Sequence, residues 1–151
     1  MKTFKQLYDS TLKYRKWSKF YPDVKGELVS IIPNIYSKTI TFRFRVQSVS
    51  NNNEGYNVWL QFYNIEFSDK PKSSYSVKII DKDTKKLLYF EKISLTDKNK
   101  KNWARVRCNC MDFRHRFAWE DRDVNALFGR VPGKYTTKGG SNRPPGNPDH
   151  I

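Results

Sequence analysis

The sequence predicts an α+β fold in which an antiparallel sheet of about five strands has helices at both ends. Strict alternation of apolar and polar residues indicates strands from Lys38 to Gln47 and from Asn102 to Cys110. A helical spacing of apolar residues marks the beginning of the chain. A length of 151 residues suits one domain, which we place at residues 1–130, followed by an extended arm at residues 131–151.

The first segment is predicted to be an amphipathic helix. Thr3 and Gln6 have the spacing of a capping box, and a set of apolar residues shares one face: Phe4, Leu7, Tyr8 and Leu12. The opposite face is basic. A short apolar stretch, Leu28 to Ile32, follows, and Pro33 separates it from the next element.

The central part of the chain is predicted to form the sheet. Its expected strands are residues 38–47, 56–67, 75–80, 87–95 and 102–110. The segment from Tyr56 to Phe67 is apolar on both faces, so we expect its own helices or a partner to cover both sides.

Short helices are predicted after the sheet. Asp112 suits the cap of a helix in which Phe113 and Phe117 stack, and Asp123 to Phe128 suits another helical turn that Gly129 ends. Beyond Val131, Pro, Gly, Ser and Asn dominate. Such a tail cannot bury itself, so we expect an arm that becomes ordered by docking.

The chain is strongly basic, with a formal net charge of +14. This charge favours an acidic partner, such as nucleic acid, an anionic membrane surface or an acidic protein lattice, although it also serves solubility alone. If their strands lie near each other, Arg43, Arg45, Arg105 and Arg107 share one sheet face and form a footprint for phosphate. The alternative is an ordinary solvated face whose arginine stems cover apolar surface.

Several function classes lack a sequence signal. No run approaches the about 18 apolar residues that a membrane span requires, and the first residues lack the apolar core of a signal peptide. No nucleophile motif, phosphate-binding glycine loop or acid–base pair is evident. We therefore expect a protein that is not an enzyme and takes no small-molecule substrate.

Two cysteines, Cys108 and Cys110, are separated by one residue, and in a strand both thiols point to the same side. They provide half of a tetrahedral zinc site, which His115 and His150 could complete. The alternatives are redox chemistry, or two buried thiols that continue the apolar face of Ala104. The cofactor is therefore either none or zinc.

A longer segment carries a resemblance to a known family. Its residues are Cys108-Asn109-Cys110, Asp112-Phe113, Arg116-Phe117-Ala118-Trp119, Asn142-Arg143-Pro144-Pro145 and Asn147-Pro148. This last third of the chain resembles a segment of virion proteins of large tailed bacteriophages that is related to the SWIM-type zinc finger. The resemblance implies zinc ligands at Cys108 and Cys110 and a place in the virion after synthesis in the host cytoplasm.

Two functions follow as expectations. The first is a structural component of the phage head, neck or tail that docks on other virion proteins in a symmetric assembly. Its expected interface anchors are Trp59, Phe67, Trp119 and Tyr135. The second is a SWIM-like module that binds DNA or another nucleic acid with the help of zinc.

Overall fold

The fold was analysed in a computed structural model that describes residues 1–15, 25–47, 55–96, 102–110, 122–123 and 125–130, with the backbone alone at 11–15. The elements in chain order are β1 (Lys2–Thr3), α1 (Phe4–Arg15), β2 (Gly26–Asn34), β3 (Thr39–Gln47), β4 (Gly55–Phe62), β5 (Phe67–Ser68), β6 (Val77–Ile80), β7 (Leu87–Phe90) and β8 (Trp103–Cys108).

A five-stranded antiparallel sheet dominates the described residues, in the order β1-β8-β4-β3-β2. Strands β2, β3 and β4 form a meander of consecutive hairpins, and β8 returns to pair with β4 from Phe62↔Ala104 to Val58↔Cys108. The predicted antiparallel sheet is thus confirmed, and the alternating segments around β3 and β8 are two of its strands.

The predicted N-terminal helix is confirmed, together with its capping box. The Thr3 backbone N–H donates to Gln6 Oε1 at 2.9 Å, and the Gln6 N–H donates to Thr3 Oγ1 at 3.3 Å. Leu7 is fully buried, and the Phe4 ring lies 6.2 Å from the Phe62 ring. These contacts fix α1 against the apolar face of the sheet.

A second, three-stranded sheet has the order β5-β7-β6. The prediction that residues 75–80 and 87–95 belong to the main sheet is therefore wrong. Phe67 and Phe90 meet edge to face at 6.3 Å, and both contribute to the core beneath the larger sheet. The small sheet thus covers the same face as α1.

The prediction that Pro33 ends the apolar stretch at Leu28 to Ile32 is also wrong. Pro33 pairs with Ile40 inside β2, which continues to Asn34. The reason is that β2 is an edge strand, where proline's missing N–H costs no ladder hydrogen bond when it faces outward.

The run from Tyr56 to Phe67 is not one strand, contrary to prediction. β4 ends at Phe62, Asn64 takes a left-handed conformation at φ 58°, and β5 begins at Phe67. The chain leaves one sheet for the other between these points. Phe62 and Phe67 both face the core that the two sheets share, whereas Trp59 lies on the opposite face of the large sheet.

The helical turn predicted from Asp123 to Phe128 is present only at its start: Arg122 and Asp123 are helical and the Asn125 N–H donates to Arg122 O at 2.9 Å, but the turn does not continue to Phe128. Leu127 forms a parallel bridge with Val106, whose N–H donates to Ala126 O at 2.7 Å. This segment extends the sheet beyond β8 because Ala126 and Leu127 are buried there. The helix expected after Asp112 and the arm at 131–151 lie outside the described residues.

Candidate nucleic-acid interface

The register of the large sheet places four arginines on one face. Arg43 pairs with Trp59, which in turn pairs with Arg107 across β4. Thr41, Gln61 and Arg105 form the neighbouring row, while Arg45 extends the first strand of the set. We call this surface the arginine face, defined by Thr41, Arg43, Arg45, Trp59, Gln61, Arg105 and Arg107. The core, α1 and the small sheet lie on the opposite side.

Arg107 fastens the chain segment that follows Leu127. Its Nη1 donates to the backbone oxygen of Phe128 at 3.1 Å and to that of Arg130 at 2.6 Å. Gly129 permits this approach because its φ is +79° and a Cβ there would lie 3.3 Å from Arg107 Nη1. This arginine therefore holds the edge of the face in place.

Trp59 lies between Arg43 and Arg107 and stacks on Phe128, with ring centroids 6.5 Å apart and an interplanar angle of 28°. The indole is half-buried. The expected interface anchor thus has an intramolecular partner on one side. It remains the aromatic group of the arginine face that lies nearest to Arg43 in the register.

Arg105 is also engaged within the molecule. Its guanidinium carbon lies 4.7 Å from the centroid of the Tyr63 ring, and Nη2 donates to Asn125 Oδ1 at 2.5 Å. Burial raises the pKa of Tyr63 above its ordinary value, and the Arg105 charge lowers it by less. The phenol therefore keeps its proton at neutral pH.

Arg43 and Arg45 form the open half of the arginine face. Arg43 Nε is a buried atom with no hydrogen-bond partner among the described residues, although the side chain as a whole is half-buried. Arg45 is exposed and lies against Gly55, where a Cβ would come within 2.7 Å of its Nε. Glu27 pairs with Arg45 in the register and is the acidic side chain nearest to it on β2. This half offers cationic donors to a ligand.

The two cysteines continue the buried face of β8, as one of the interpretations predicted. Cys108 and Cys110 belong to the core together with Ala104 and Val106. The Cys110 backbone N–H lies 3.4 Å from Cys108 Sγ, a contact that a metal-bound thiolate also accepts. Within the described ranges, no group of three or more His, Cys, Asp or Glu side chains could hold a metal. A zinc site here needs further ligands, and His115 and His150 lie outside the described residues.

The other expected anchors have different surroundings. Phe67 is half-buried in the small sheet against Phe90. Trp119 and Tyr135 lie in the part of the chain that the structure does not describe.

Sequence reasoning missed an exposed apolar edge. Leu28, Val29 and Ile32 of β2 are about half exposed, and Tyr36 in the following turn is 99% exposed. A bulge between Leu28 and Ser30 interrupts the pairing of this strand with β3. The available signal is the apolar content of the stretch from Leu28 to Ile32 itself.

No protein-family model, curated protein or solved structure matches this chain. The resemblance to phage virion proteins therefore stays a prediction. Among the described residues, no helix has both the length and the apolar character needed to span a membrane.

Proposed function

We propose that this chain is a non-catalytic protein that binds nucleic acid through the arginine face. The observation that carries the proposal is the strand register, which aligns Arg43, Trp59 and Arg107 in one row and adds Arg45 and Arg105 beside it. Guanidinium groups bind phosphate with paired hydrogen bonds, and aromatic rings provide stacking surfaces for bases.

The four arginines of the arginine face have two different roles. Arg105 and Arg107 already have acceptors in Asn125, Phe128 and Arg130, so they shape the surface. Arg43 and Arg45 contact the phosphates. The net charge of +14 attracts a polyanion from a distance and accelerates the encounter.

The test is a binding titration by fluorescence anisotropy with a labelled oligonucleotide at several salt concentrations. We expect Arg43→Gln with Arg45→Gln to weaken binding about tenfold and to reduce the salt dependence by about two counterions. The matched control removes the same charge elsewhere, with Lys78→Gln in β6 and Lys92→Gln just after β7, whose side chains are exposed. Equal losses in the two double variants would contradict a defined site.

Zinc belongs to the SWIM-like form of this proposal, with Cys108 and Cys110 as two of the ligands. The closeness of the two cysteines, which belong to the same core cluster, supports it. Metal analysis of the purified protein should find about one zinc per chain, and Cys108→Ser should abolish it. If the metal-free protein binds the oligonucleotide as well as before, the zinc-dependent form of the proposal is eliminated. Binding by the arginine face alone then remains.

A second candidate function is a structural component of a tailed phage particle. The exposed apolar edge of β2 favours it, because β2 has a strand partner on one side alone among the described residues and such an edge accepts an added strand. The occupant would be an extended, acidic strand of a neighbouring virion protein, since exposed Lys25 and Lys38 flank this edge on a chain of net charge +14.

The particle itself provides the test of this second candidate. The chain should copurify with the virion at a fixed copy number, and Ile32→Lys should prevent its incorporation while leaving the isolated protein folded. The matched control is Ile80→Lys on the small sheet, because Ile80 is 58% exposed and Ile32 is 50% exposed. Particles that assemble without the chain would rule out this function.

A further inference from the structure

We infer that the nucleic acid taken by the arginine face is single-stranded. The inference rests on the proposed function and adds the class of ligand. It follows from the width of the sheet, from the spacing of Arg43 and Arg45 along β3, and from the position of Trp59 directly across from Arg43.

The width of the sheet excludes a duplex groove. Strand β3, which carries Arg43 and Arg45, lies in the interior of the sheet with β2 on one side and β4 and β8 on the other. Neighbouring strands are about 4.8 Å apart, so the backbones from β2 to β8 alone span about 14 Å. The major groove is about 12 Å wide and admits a helix or a two-stranded ribbon. The arginine face can therefore touch a duplex at its outer phosphates, but it cannot enter a groove.

The spacing of the open arginines suits one extended strand. Arg43 and Arg45 are two residues apart on β3, which separates their Cα atoms by about 6.7 Å. Both side chains point to the same side, so they can contact successive phosphates of a single backbone.

Trp59 provides the surface for a base. It lies directly across from Arg43 in the register, and Phe128 supports one side of its ring. A base that turns away from a phosphate on Arg43 meets the indole. In a duplex the bases are paired and stacked inside, so this contact requires an unpaired strand.

The experiment compares labelled probes of one sequence at 0.1 M salt: single-stranded DNA, single-stranded RNA and the DNA annealed to its complement. We expect either single strand to bind at least tenfold more tightly than the duplex. Trp59→Ala should weaken single-strand binding about tenfold and duplex binding by clearly less. Trp59→Phe keeps a ring and should restore most of the affinity, and thermal unfolding of each variant verifies that it is folded.

The outcomes separate the inference from the proposal beneath it. Duplex binding that equals or exceeds single-strand binding overturns the inference but leaves nucleic-acid binding intact. Equal losses for Trp59→Ala on single strand and duplex also overturn it. No binding to any probe overturns the proposed function itself. Preference for RNA or for DNA among the single strands supports the inference and narrows the ligand.

Discussion

Asn102 shows how one buried amide fixes the junction between the two sheets. Its side chain is fully buried and makes hydrogen bonds with three backbone groups. Nδ2 donates to Tyr63 O at 2.9 Å and Asn64 O at 3.1 Å, and Oδ1 accepts from Ser94 N at 2.7 Å. The chain segments on both sides of the small sheet are therefore fastened to the start of β8.

We expect Asn102→Ala to lower the free energy of unfolding by about 3 kcal/mol, because it leaves buried backbone groups without partners. Denaturant unfolding measures the loss. Asn109→Ala is the matched control: its side chain accepts one exposed hydrogen bond from Asn57 N, so its cost should stay below about 1 kcal/mol. Similar costs at the two sites would refute the role given to Asn102.

Single residues also show what the sequence could and could not predict. The alternating pattern predicts that Arg43 and Arg45 share one face of their strand and that Arg105 and Arg107 share one face of theirs, since a strand has a fixed period of two. That β4 lies between the two pairs could not be predicted, because strand order depends on contacts distant in sequence. For the same reason, the carbonyl acceptors of Arg107 were not foreseeable.

Among the elements, the segment from Ala126 to Phe128 shows tertiary context overriding a local signal. Gly129 follows it as a glycine follows a helix, and this suggested a helical turn. The exposed amide edge of β8 instead pairs with the segment, and Leu127 and Ala126 become buried. Gly129 does take the left-handed conformation. It does so where the backbone passes close to the Arg107 guanidinium, and not at the end of a helix that reaches Phe128.

Gly129→Ala should lower the free energy of unfolding by about 1 kcal/mol, because alanine is strained at φ +79° and its methyl group would press on Arg107. Gly26→Ala is the control. A Cβ there meets Val46 Cγ2 at an ordinary 3.6 Å, so its effect should be neutral or slightly stabilising. Thermal unfolding of both variants checks the expectation, and a neutral Gly129→Ala would contradict it.

For the whole molecule, charge is the dominant feature. The formal net charge is +14, so the excess cationic side chains repel one another in the folded chain. Raising NaCl from 20 mM to 300 mM should therefore raise the Tm by about 3 °C through screening, and KCl should act equally. Nucleic-acid binding should weaken over the same range. A Tm that falls with salt would show that attractive ion pairs outweigh the repulsion.

The general class of the whole fold was predictable from the sequence, while its division into two sheets was not. The alternating stretches and the capping box established antiparallel strands and an N-terminal helix. The division depends on the left-handed conformation of Asn64, in the segment where the chain leaves β4 for β5. Asparagine tolerates that conformation, but it occurs in many other settings, so its presence alone predicts little.

The strand order has a consequence for how the chain reaches this state. Strands β2, β3 and β4 follow one another in the chain and pair in that order, whereas β8 joins β4 only after the whole small sheet has been traversed. Contacts so distant in sequence form slowly because the intervening chain must first be ordered. During synthesis, the Arg43 side of the molecule is therefore assembled early. The edge of β4 that pairs with β8 stays unpaired until β8 has been synthesised. During that interval the nascent chain is most exposed to mispairing with other copies.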